Sequence, residues 1–395
     1  MKPLTRRTLI AGAGAGATIA LPVLAQRMVD LGLPGGPSAR PLTPRFPQKR
    51  EMIVQRVHPP LLETPFSVYD QGLLTPNDRH FVRWHWDFPT NIDVERYRVA
   101  VYGAVQSSLT LSLDQVLRAG KHIEFNAVNQ CAGNARGHFE PRVAGAQWGH
   151  GAMANAQWRG VRLRDVLDKA GVRSNARFVR FKGLDRPPVD GAPQFIKSIP
   201  IDIARRDDTI IAFAMNGTAL PLLNGFPLRI IVPGWYSTYW VKMLSDIEVL
   251  TSEDQNFWMA KAYRMPVSPV KPGDKGFATR PISTMVPRAW ITSHADGARL
   301  PKTVSGIAMG GDAGVARVEL AIEGRKGPVI NAELGPETGK YGFRRWSATV
   351  PQIDTDIRIG PRCINTNGVI QPLSQSWNPS GYARDGVEFI TVKIA

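Results

Sequence analysis

The sequence changes character near residue 265, and this change limits the fold more than any other feature. Before it, short stretches with strand patterns alternate with helical ones; residues 97–101, for example, alternate between apolar and other side chains in the period-two pattern of a strand. After a linker that begins at Pro266 and is rich in proline, the chain becomes a series of short alternating strands. This order predicts an α+β protein, in which a mixed α/β domain over residues 76–265 precedes an immunoglobulin-like β-sandwich over residues 266–395.

Individual elements can be placed by their local signals. Ser112 and Gln115 have the spacing of a capping box, which predicts a helix from Ser112 to Gly120. A second short helix is predicted over residues 161–170, before Gly171. Alternating or apolar runs predict strands at residues 178–182, 228–232, 304–309, 316–322, 343–350 and 388–394.

The N-terminus has the pattern of an export signal. Arg6 and Arg7 precede an uncharged run rich in Gly and Ala that ends at Ala25. The paired arginines are typical of a twin-arginine signal, which exports proteins already folded, often with a cofactor inserted. We therefore expect residues 1–25 to be removed, and the mature protein to lie in the periplasm without a membrane span. Residues 26–75 are rich in Pro, Gly and Arg, which predicts an extended arm and not a folded unit.

Charge and cysteine content exclude several classes of protein. Lys and Arg number 49 against 33 Asp and Glu, a net charge of +16, which favours anionic partners. Export excludes nucleic acid as the partner. Cys131 and Cys363 do not form a Cys-x-x-Cys pair, which excludes a zinc ribbon, an iron–sulfur cluster and a covalently attached c-type haem on this chain. Cys363 is expected to be a buried free thiol.

The densest group of reactive residue types lies around Cys131. Gln130, Gly133, Asn134 and Arg136 surround it with polar and conformationally free residues, as in a loop whose backbone approaches a bound group. A neighbouring arginine stabilises a thiolate, the form that binds soft metals. Two alternatives remain at this point: a papain-like nucleophile, which needs a partner histidine, and a small buried hydrophobic side chain.

Several segments resemble the sulfite oxidase family of molybdopterin enzymes when taken together and in order, and most closely its bacterial periplasmic sulfite dehydrogenases. The resemblance covers about residues 60–395, and its motifs are Cys-Ala-Gly-Asn-Ala-Arg at 131–136, Gly-Ala-Met at 151–153, Trp-Arg-Gly-Val at 158–161, Ala-Met-Asn-Gly at 214–217, Asn-Gly-Phe-Pro-Leu-Arg at 224–229, Val-Pro-Gly-Trp at 232–235 and Val-Lys-Met-Leu at 241–244. It implies that the first domain is a sulfite oxidase-type molybdopterin-binding domain.

The resemblance also implies roles for particular residues. It makes Cys131 the one protein ligand of the molybdenum. The residues that it places beside the substrate are Arg83, Arg136, Trp148, Tyr263 and Arg362. The residues that it places on the pyranopterin are His85, Trp86, Asp185, Asn224, Arg229, Trp240 and Lys242, where Asn224 stands at a position that carries histidine in the animal enzymes.

The implied reaction is oxidation of sulfite to sulfate by oxygen-atom transfer at a mononuclear molybdenum centre. Sulfite is a small dianion, which planar guanidinium groups are suited to hold. A separate c-type cytochrome is expected to accept the electrons, since we expect no haem on this chain. The C-terminal domain resembles one that dimerises in the family, which implies a homodimer. The alternatives are a sulfane dehydrogenase subunit, a methionine-sulfoxide reductase, or a periplasmic binding protein without a cofactor.

Overall fold

A computed structural model describes residues 27–43, 46, 48–299, 301–324, 329–351 and 355–393. The expected signal segment, residues 1–25, lies outside these residues, as does the end of the strand predicted at residues 388–394. Among the described residues, no helix combines the length and the apolar character that a membrane span requires.

The N-terminal segment forms an antiparallel meander. Its elements are β1 (Met28–Asp30), β2 (Ala39–Thr43), β3 (Met52–Arg56), β4 (Leu61–Glu63), α1 (Val68–Gln71) and β5 (Val82–Arg83), and the five strands pair in chain order. The prediction of an extended arm without a fold of its own was wrong here. The strands have two to five residues, and β4 is buried along its whole length, so they are too short to show an alternating pattern.

The central domain contains two sheets and four short helices. Its elements are β6 (Arg98–Gly103), β7 (Leu109–Ser112), α2 (Leu113–Leu117), β8 (His122–Gln130), β9 (Met153–Arg162), α3 (Leu163–Ala170), β10 (Phe178–Gly183), β11 (Ile196–Pro200), α4 (Ile201–Ala204), β12 (Ile210–Met215), β13 (Thr218–Ala219), β14 (Arg229–Ile231), β15 (Leu244–Leu250) and α5 (Phe257–Ala260). One sheet has the order β11-β10-β15-β6-β7, and the other has the order β13-β12-β9-β8, with β14 paired to β12.

Local signals placed the helices to within a few residues. Ser112 and Gln115 make both hydrogen bonds of the capping box, so the start of α2 is confirmed, but the helix ends at Leu117. The helix predicted over residues 161–170 begins only at Leu163. Val161 and Arg162 instead complete β9, where they pair with β8 and β12, because strand pairing outweighs the helical pattern of those two residues.

The C-terminal domain is a β-sandwich, which confirms the predicted fold class. After a hairpin of β16 (Arg264–Pro266) and β17 (Thr279–Pro281), its strands are β18 (Arg288–Ile291), β19 (Ala298–Arg299), β20 (Thr303–Met309), β21 (Val315–Ile322), β22 (Ile330–Asn331), β23 (Glu333–Leu334), β24 (Arg344–Thr349), β25 (Ile357–Asn365) and β26 (Ile390–Lys393). The sheets β18-β20-β24-β23 and β19-β26-β25-β21-β22 enclose a core that includes Val304, Trp346, Val318 and Cys363.

The two domains share an apolar core at their junction. Phe343, directly before β24 of the C-terminal domain, packs edge-on against Tyr69 of the N-terminal segment. Trp290 and Met309 belong to the same buried cluster as the central sheets. Since this contact is apolar and buried, it fixes the C-terminal domain against the N-terminal segment and the central sheets.

Candidate active site

Cys131 lies directly after the nine-residue strand β8. Its backbone N–H donates to Ala152 O (2.9 Å), and its carbonyl accepts from the N–H of Asn134 (2.9 Å). The side chain is 6% exposed and packs with Phe81 and Trp148. One side of the residue is thus held by an apolar cluster, and the other faces a cavity.

The cavity in front of Cys131 is positively charged. Arg83, Arg229 and Lys242 line it, and none of the described residues that line it carries a carboxylate. Besides these cations and Cys131, four more of the residues expected at the site line it, namely His85, Asn224, Trp240 and Tyr263. A group of buried cations with no carboxylate among the described lining residues favours an anionic occupant, because transfer of charge from water is costly unless the charge is paired.

His85 and Tyr263 form a hydrogen-bonded pair on this cavity. His85 Nε2 lies 2.5 Å from the Tyr263 hydroxyl, and the imidazole stacks on Phe195 with the ring centroids 3.8 Å apart. Burial, aided by the Arg83 charge, holds the pKa of His85 well below its usual value. Burial raises the pKa of Tyr263, against the effect of Arg83. Both groups are therefore neutral at pH 7, and the phenol keeps the proton that it can donate.

Two of the cavity's cations are held by carbonyl groups instead of acids. Arg229 Nη1 donates to Asn224 O (2.9 Å) and its Nη2 to Trp240 O (3.1 Å). Lys242 Nζ donates to Arg83 O (3.0 Å). Burial lowers the pKa of both Arg229 and Lys242. A phosphate beside these groups would favour their charged forms, so they are suited to the phosphate of a pterin cofactor.

The amide group of Asn224 points into the interior of the protein. Its Oδ1 accepts from Lys49 Nζ (2.5 Å), and its Nδ2 lies 3.2 Å from both His80 Nδ1 and Phe81 O. Lys49, from the N-terminal segment, also donates to the carbonyls of Asn77 and His80. The amide of Asn224 is thus committed to this network, although the residue lines the cavity.

Four predicted residues lie close to the cavity without lining it. Arg136 is 8% exposed, and its Nε donates to Ser380 O (3.1 Å). Trp148 is buried in the apolar cluster of Cys131. Trp86 Nε1 donates to Pro193 O (3.0 Å). Asp185 is buried near Lys242. Burial raises the pKa of the Asp185 carboxyl, and the charge of Lys242 opposes this rise.

Arg362 does not reach the site, so its assignment to the substrate pocket is corrected. It lies on β25 opposite Glu319 of β21, and its Nε donates to Gln371 O (2.9 Å). Successive side chains of a strand face opposite ways, and the next residue, Cys363, points into the sandwich core. Arg362 therefore faces outward, where it borders a groove with Leu320 and Phe389.

The C-terminal domain instead supplies Tyr382, which sequence reasoning missed. Its ring stacks on Tyr263 at a centroid distance of 5.3 Å, and the Arg136 guanidinium lies 5.0 Å from the ring centroid. Tyr382 follows Gly381, but none of the motifs that carry the resemblance covers this segment. Phe195, Asn129 and Thr238 on the cavity were also missed.

The donor set fits a molybdenum–pyranopterin cofactor. Within the described part of the chain, four buried cavity atoms have no hydrogen-bond partner: Arg83 Nη1, Arg229 Nε, Asn129 Oδ1 and Thr238 Oγ1. They offer the mixture of donors and acceptors that a pterin with a phosphate needs. Cys131 Sγ is the soft ligand that molybdenum requires. The described residues contain no group of three or more His, Cys, Asp or Glu side chains placed to hold a metal ion among themselves.

Comparisons with known proteins agree with this assignment. Residues 85–258 match the family model of an oxidoreductase molybdopterin binding domain. Sulfite oxidase of Gallus gallus is 33% identical over 358 residues, which cover 86% of this chain and 76% of that protein. The chain belongs to the sulfite oxidase family. Sulfite oxidase of Arabidopsis thaliana is 30% identical, with 88% of this chain and 95% of that protein covered.

As a member of this family, the chain carries a molybdopterin-binding domain. Mitochondrial sulfite oxidase of Mus musculus is 32% identical over 84% of this chain, and the alignment spans 64% of the mouse protein's length. The crystal structure of the sulfane dehydrogenase SoxCD from Paracoccus pantotrophus has the same fold, with a TM-score of 0.71 at 21% identity, and 98% of this chain and 97% of that chain are covered.

Proposed function

We propose that this protein oxidises sulfite to sulfate and passes the electrons to a separate c-type cytochrome. The observation that carries the proposal is the cavity of Cys131, which has three cations and no carboxylate among its described lining residues. A site of this charge favours a small oxyanion over a neutral sulfoxide. The sequence relationship to sulfite oxidases supports the same choice.

The chain's own residues bind the anion and hold protons. The Nη1 atom of Arg83 is buried, and within the described residues it has no hydrogen-bond partner. It is therefore available to bind a sulfite oxygen. Arg136 adds a second guanidinium behind Tyr263 and Tyr382. In the tautomer of His85 that carries its proton on Nε2, the imidazole donates to the Tyr263 oxygen and fixes the direction of the phenol. The neutral Tyr263 hydroxyl then donates its own proton in a hydrogen bond to an oxygen on which charge develops.

The molybdenum cofactor, when bound through Cys131, supplies oxygen-atom transfer and accepts two electrons. In the overall reaction sulfite gains one oxygen atom that comes from water, and two protons and two electrons are released. The electrons leave one at a time to the cytochrome. Arg229 and Lys242 would hold the pterin's phosphate, and His85 and Trp240 would border the ring system. Asp185 would act through Lys242, near which it is buried.

The location and assembly are part of the proposal. The arginine pair near the N-terminus supports export by the twin-arginine route to the periplasm, where c-type cytochromes are found. The net charge of +16, or +13 without Lys2, Arg6 and Arg7 of the expected signal, supports an acidic partner surface. Turnover with the cytochrome is therefore expected to fall as salt is raised from about 20 to about 200 mM. A homodimer is proposed from the resemblance, and sedimentation velocity tests it.

The second candidate is oxidation of a sulfane sulfur, the activity for which the sulfane dehydrogenase SoxCD is named. The observation that favours it is the coverage of nearly the whole of both chains in the structural comparison. Methionine-sulfoxide reduction and cofactor-free binding are the remaining alternatives. Rates with sulfite, protein-bound persulfide and methionine sulfoxide, measured on one preparation, separate the three reactions.

The decisive experiment measures molybdenum content and sulfite-dependent cytochrome c reduction together. We expect one molybdenum per chain, and loss of activity by at least about 100-fold in Cys131→Ser, since a hydroxyl is a poor substitute for a soft thiolate. Cys363→Ser is the matched control, because this thiol lies in the sandwich core away from the cavity. Full activity in Cys131→Ser would refute the role of Cys131 as the molybdenum ligand. A purified protein without molybdenum would favour the alternative of a binding protein without a cofactor.

A further inference from the structure

A segment of the C-terminal domain, residues 378–383, is built against the loop that carries Cys131. The N–H of Ala383 donates to Ala132 O (2.8 Å). Asn378 brackets the segment: its Nδ2 donates to Tyr382 O (2.9 Å), and its Oδ1 accepts from the N–H of Tyr382 (3.1 Å). These bonds fix the backbone at Tyr382 without using its side chain.

Gly381 lets this segment approach Arg136. Its φ is +57°, and a Cβ at this position would lie 2.7 Å from Arg136 Cγ and 2.4 Å from Val143 Cγ2. Only glycine avoids both the strained backbone and the contact. The close approach brings Ser380 O to the Arg136 Nε and the next side chain, Tyr382, over the guanidinium.

The Tyr382 ring contacts two groups of the site at once. It is nearly parallel to Tyr263, with an interplanar angle of 15°, and it lies 5.0 Å from the guanidinium carbon of Arg136. Burial raises the pKa of Tyr382, while Arg136 and Arg83 act against this rise. The phenol is therefore neutral at pH 7 and presents an aromatic face to the cation.

We propose that Tyr382 is a positioning residue for the substrate anion, because its ring holds the Arg136 guanidinium and the Tyr263 phenol in one fixed arrangement. This role rests on the proposed function in so far as the substrate is a small oxyanion. Arginine has many rotamers, and a stacked aromatic face limits them before substrate binds. The C-terminal domain thereby completes the anion site of the central domain.

The alternative role of Tyr382 is packing between the two domains. Tyr341 provides a matched control for that role: it also belongs to the C-terminal domain, is buried, and has a guanidinium carbon, that of Arg206, 5.9 Å from its ring centroid. Its hydroxyl donates to Asp208 Oδ2 (2.6 Å). Tyr341 does not line the cavity of Cys131.

The test compares Tyr382→Leu, Tyr382→Phe and Tyr341→Leu in cofactor-loaded protein. The probe is inorganic sulfate, whose Kd is measured by isothermal titration calorimetry, and KM and kcat for sulfite are measured beside it. We expect Tyr382→Leu to weaken sulfate binding about tenfold, which is about 1.4 kcal/mol. KM should rise by a similar factor and kcat should change less. Tyr382→Phe should stay within about twofold of the parent, and so should Tyr341→Leu.

Three outcomes would overturn the role. They are unchanged sulfate binding in Tyr382→Leu, equal weakening in Tyr341→Leu, and no rescue by the phenylalanine variant. Should Tyr382→Leu lose its cofactor, Tyr382→Met fills similar space without an aromatic face and takes its place. If sulfate binding follows the expected order but sulfite is not oxidised, the role of Tyr382 stands and the proposed function fails.

Discussion

Glu63 Oε1 accepts a hydrogen bond from the backbone N–H of Gly151 at 2.9 Å, although the two residues are 88 positions apart in the chain. Its other oxygen accepts from the N–H of Gly149 (3.1 Å) and from Gln55 Nε2 (2.8 Å). The carboxylate is 1% exposed, and burial raises its pKa against these bonds. The turn held in this way leads into Ala152, whose carbonyl accepts the N–H of Cys131.

Replacing Glu63 with glutamine is expected to loosen the turn beneath Cys131. The new amide has one acceptor oxygen, and its NH2 group would face an N–H donor, which leaves a buried group unpaired. We expect a loss of about 2–3 kcal/mol in the free energy of unfolding, together with less molybdenum retained per chain. Urea denaturation and metal analysis measure the two effects.

Glu51→Gln is the matched control for this variant. Glu51 belongs to the same N-terminal segment, but its side chain is 44% exposed, and its partners are the exposed Arg27 and the partly buried Arg79. A change below about 1 kcal/mol is expected. Equal losses in both variants would show that the Glu63 carboxylate has no particular role in the turn.

Gly151→Ala is expected to be more damaging than a usual glycine substitution. A Cβ at Gly151 would lie 1.9 Å from Thr64 O and 2.6 Å from Glu63 Cγ, so β4 and the turn must separate. We expect a loss of at least about 3 kcal/mol. Gly72→Ala, where the nearest such atom, Leu74 O, is 3.9 Å away, should be nearly neutral. Thermal unfolding of the two variants compares them, and similar melting temperatures would contradict the close approach.

The extent to which sequence predicted this protein follows from the range of each interaction. The start of α2 was predictable because Ser112 and Gln115 carry the whole capping signal within four residues. The meander was not, since its strands are short and are stabilised by partners elsewhere, as Glu63 is by Gly149 and Gly151. Its role beside the cavity depends on contacts that no local pattern reports.

The site shows the same division. Residues within a motif, such as Cys131, Arg229 and Lys242, were found and line the cavity. Arg362 was misplaced because strand alternation and pairing with Glu319 decide which way it faces. Tyr382 was missed because it reaches Tyr263 only after the C-terminal domain packs on the central one.

Lys49→Met should weaken the end of the cavity that carries Asn224. The ammonium of Lys49 is buried, burial lowers its pKa to about 7, and it donates to Asn77 O, His80 O and Asn224 Oδ1. Methionine fills similar space but leaves three acceptors unpaired. We expect a loss of about 2–4 kcal/mol in the free energy of unfolding, and less pterin retained per chain, which fluorescence of the oxidised pterin measures.

The neighbouring Arg50→Met is the control for Lys49→Met. Arg50 has a side chain that is 69% exposed and pairs with Asp78 at the surface, so a change below about 1 kcal/mol is expected. Normal pterin content and stability in Lys49→Met would show that the lysine does not hold Asn224 in place.

Acid should destabilise the protein through a pair of buried histidines at the junction between the domains. His138 stacks on His150 with the ring centroids 4.4 Å apart, beside Glu388, Arg384 and Arg288. Burial lowers the pKa of His138 to about 4, with the Glu388 charge opposing the shift and Arg384, Arg288 and Arg142 adding to it. Burial likewise lowers the pKa of His150.

The direction of the pH effect follows from these shifts. The unfolded state binds protons on these histidines below about pH 6.5, whereas the folded state does not, so stability falls as the pH drops from 6.5 towards 4. Burial raises the pKa of Glu388, but the charges of Arg384 and Arg288 and a hydrogen bond from Arg384 outweigh it and hold this pKa well below its usual value. The carboxylate therefore adds a further loss of stability as the pH falls below its ordinary pKa of 4.5. His138 alone accounts for up to about 3 kcal/mol.

Urea denaturation between pH 7 and pH 4 measures this dependence. His138→Gln should flatten the curve in that window, because glutamine cannot take up a proton in the unfolded state. His122→Gln is the control, since His122 is exposed on β8, away from this cluster, and its replacement should leave the slope as in the parent. A parent protein whose stability does not change between pH 6.5 and 4.5 would contradict the burial of neutral histidines at the junction.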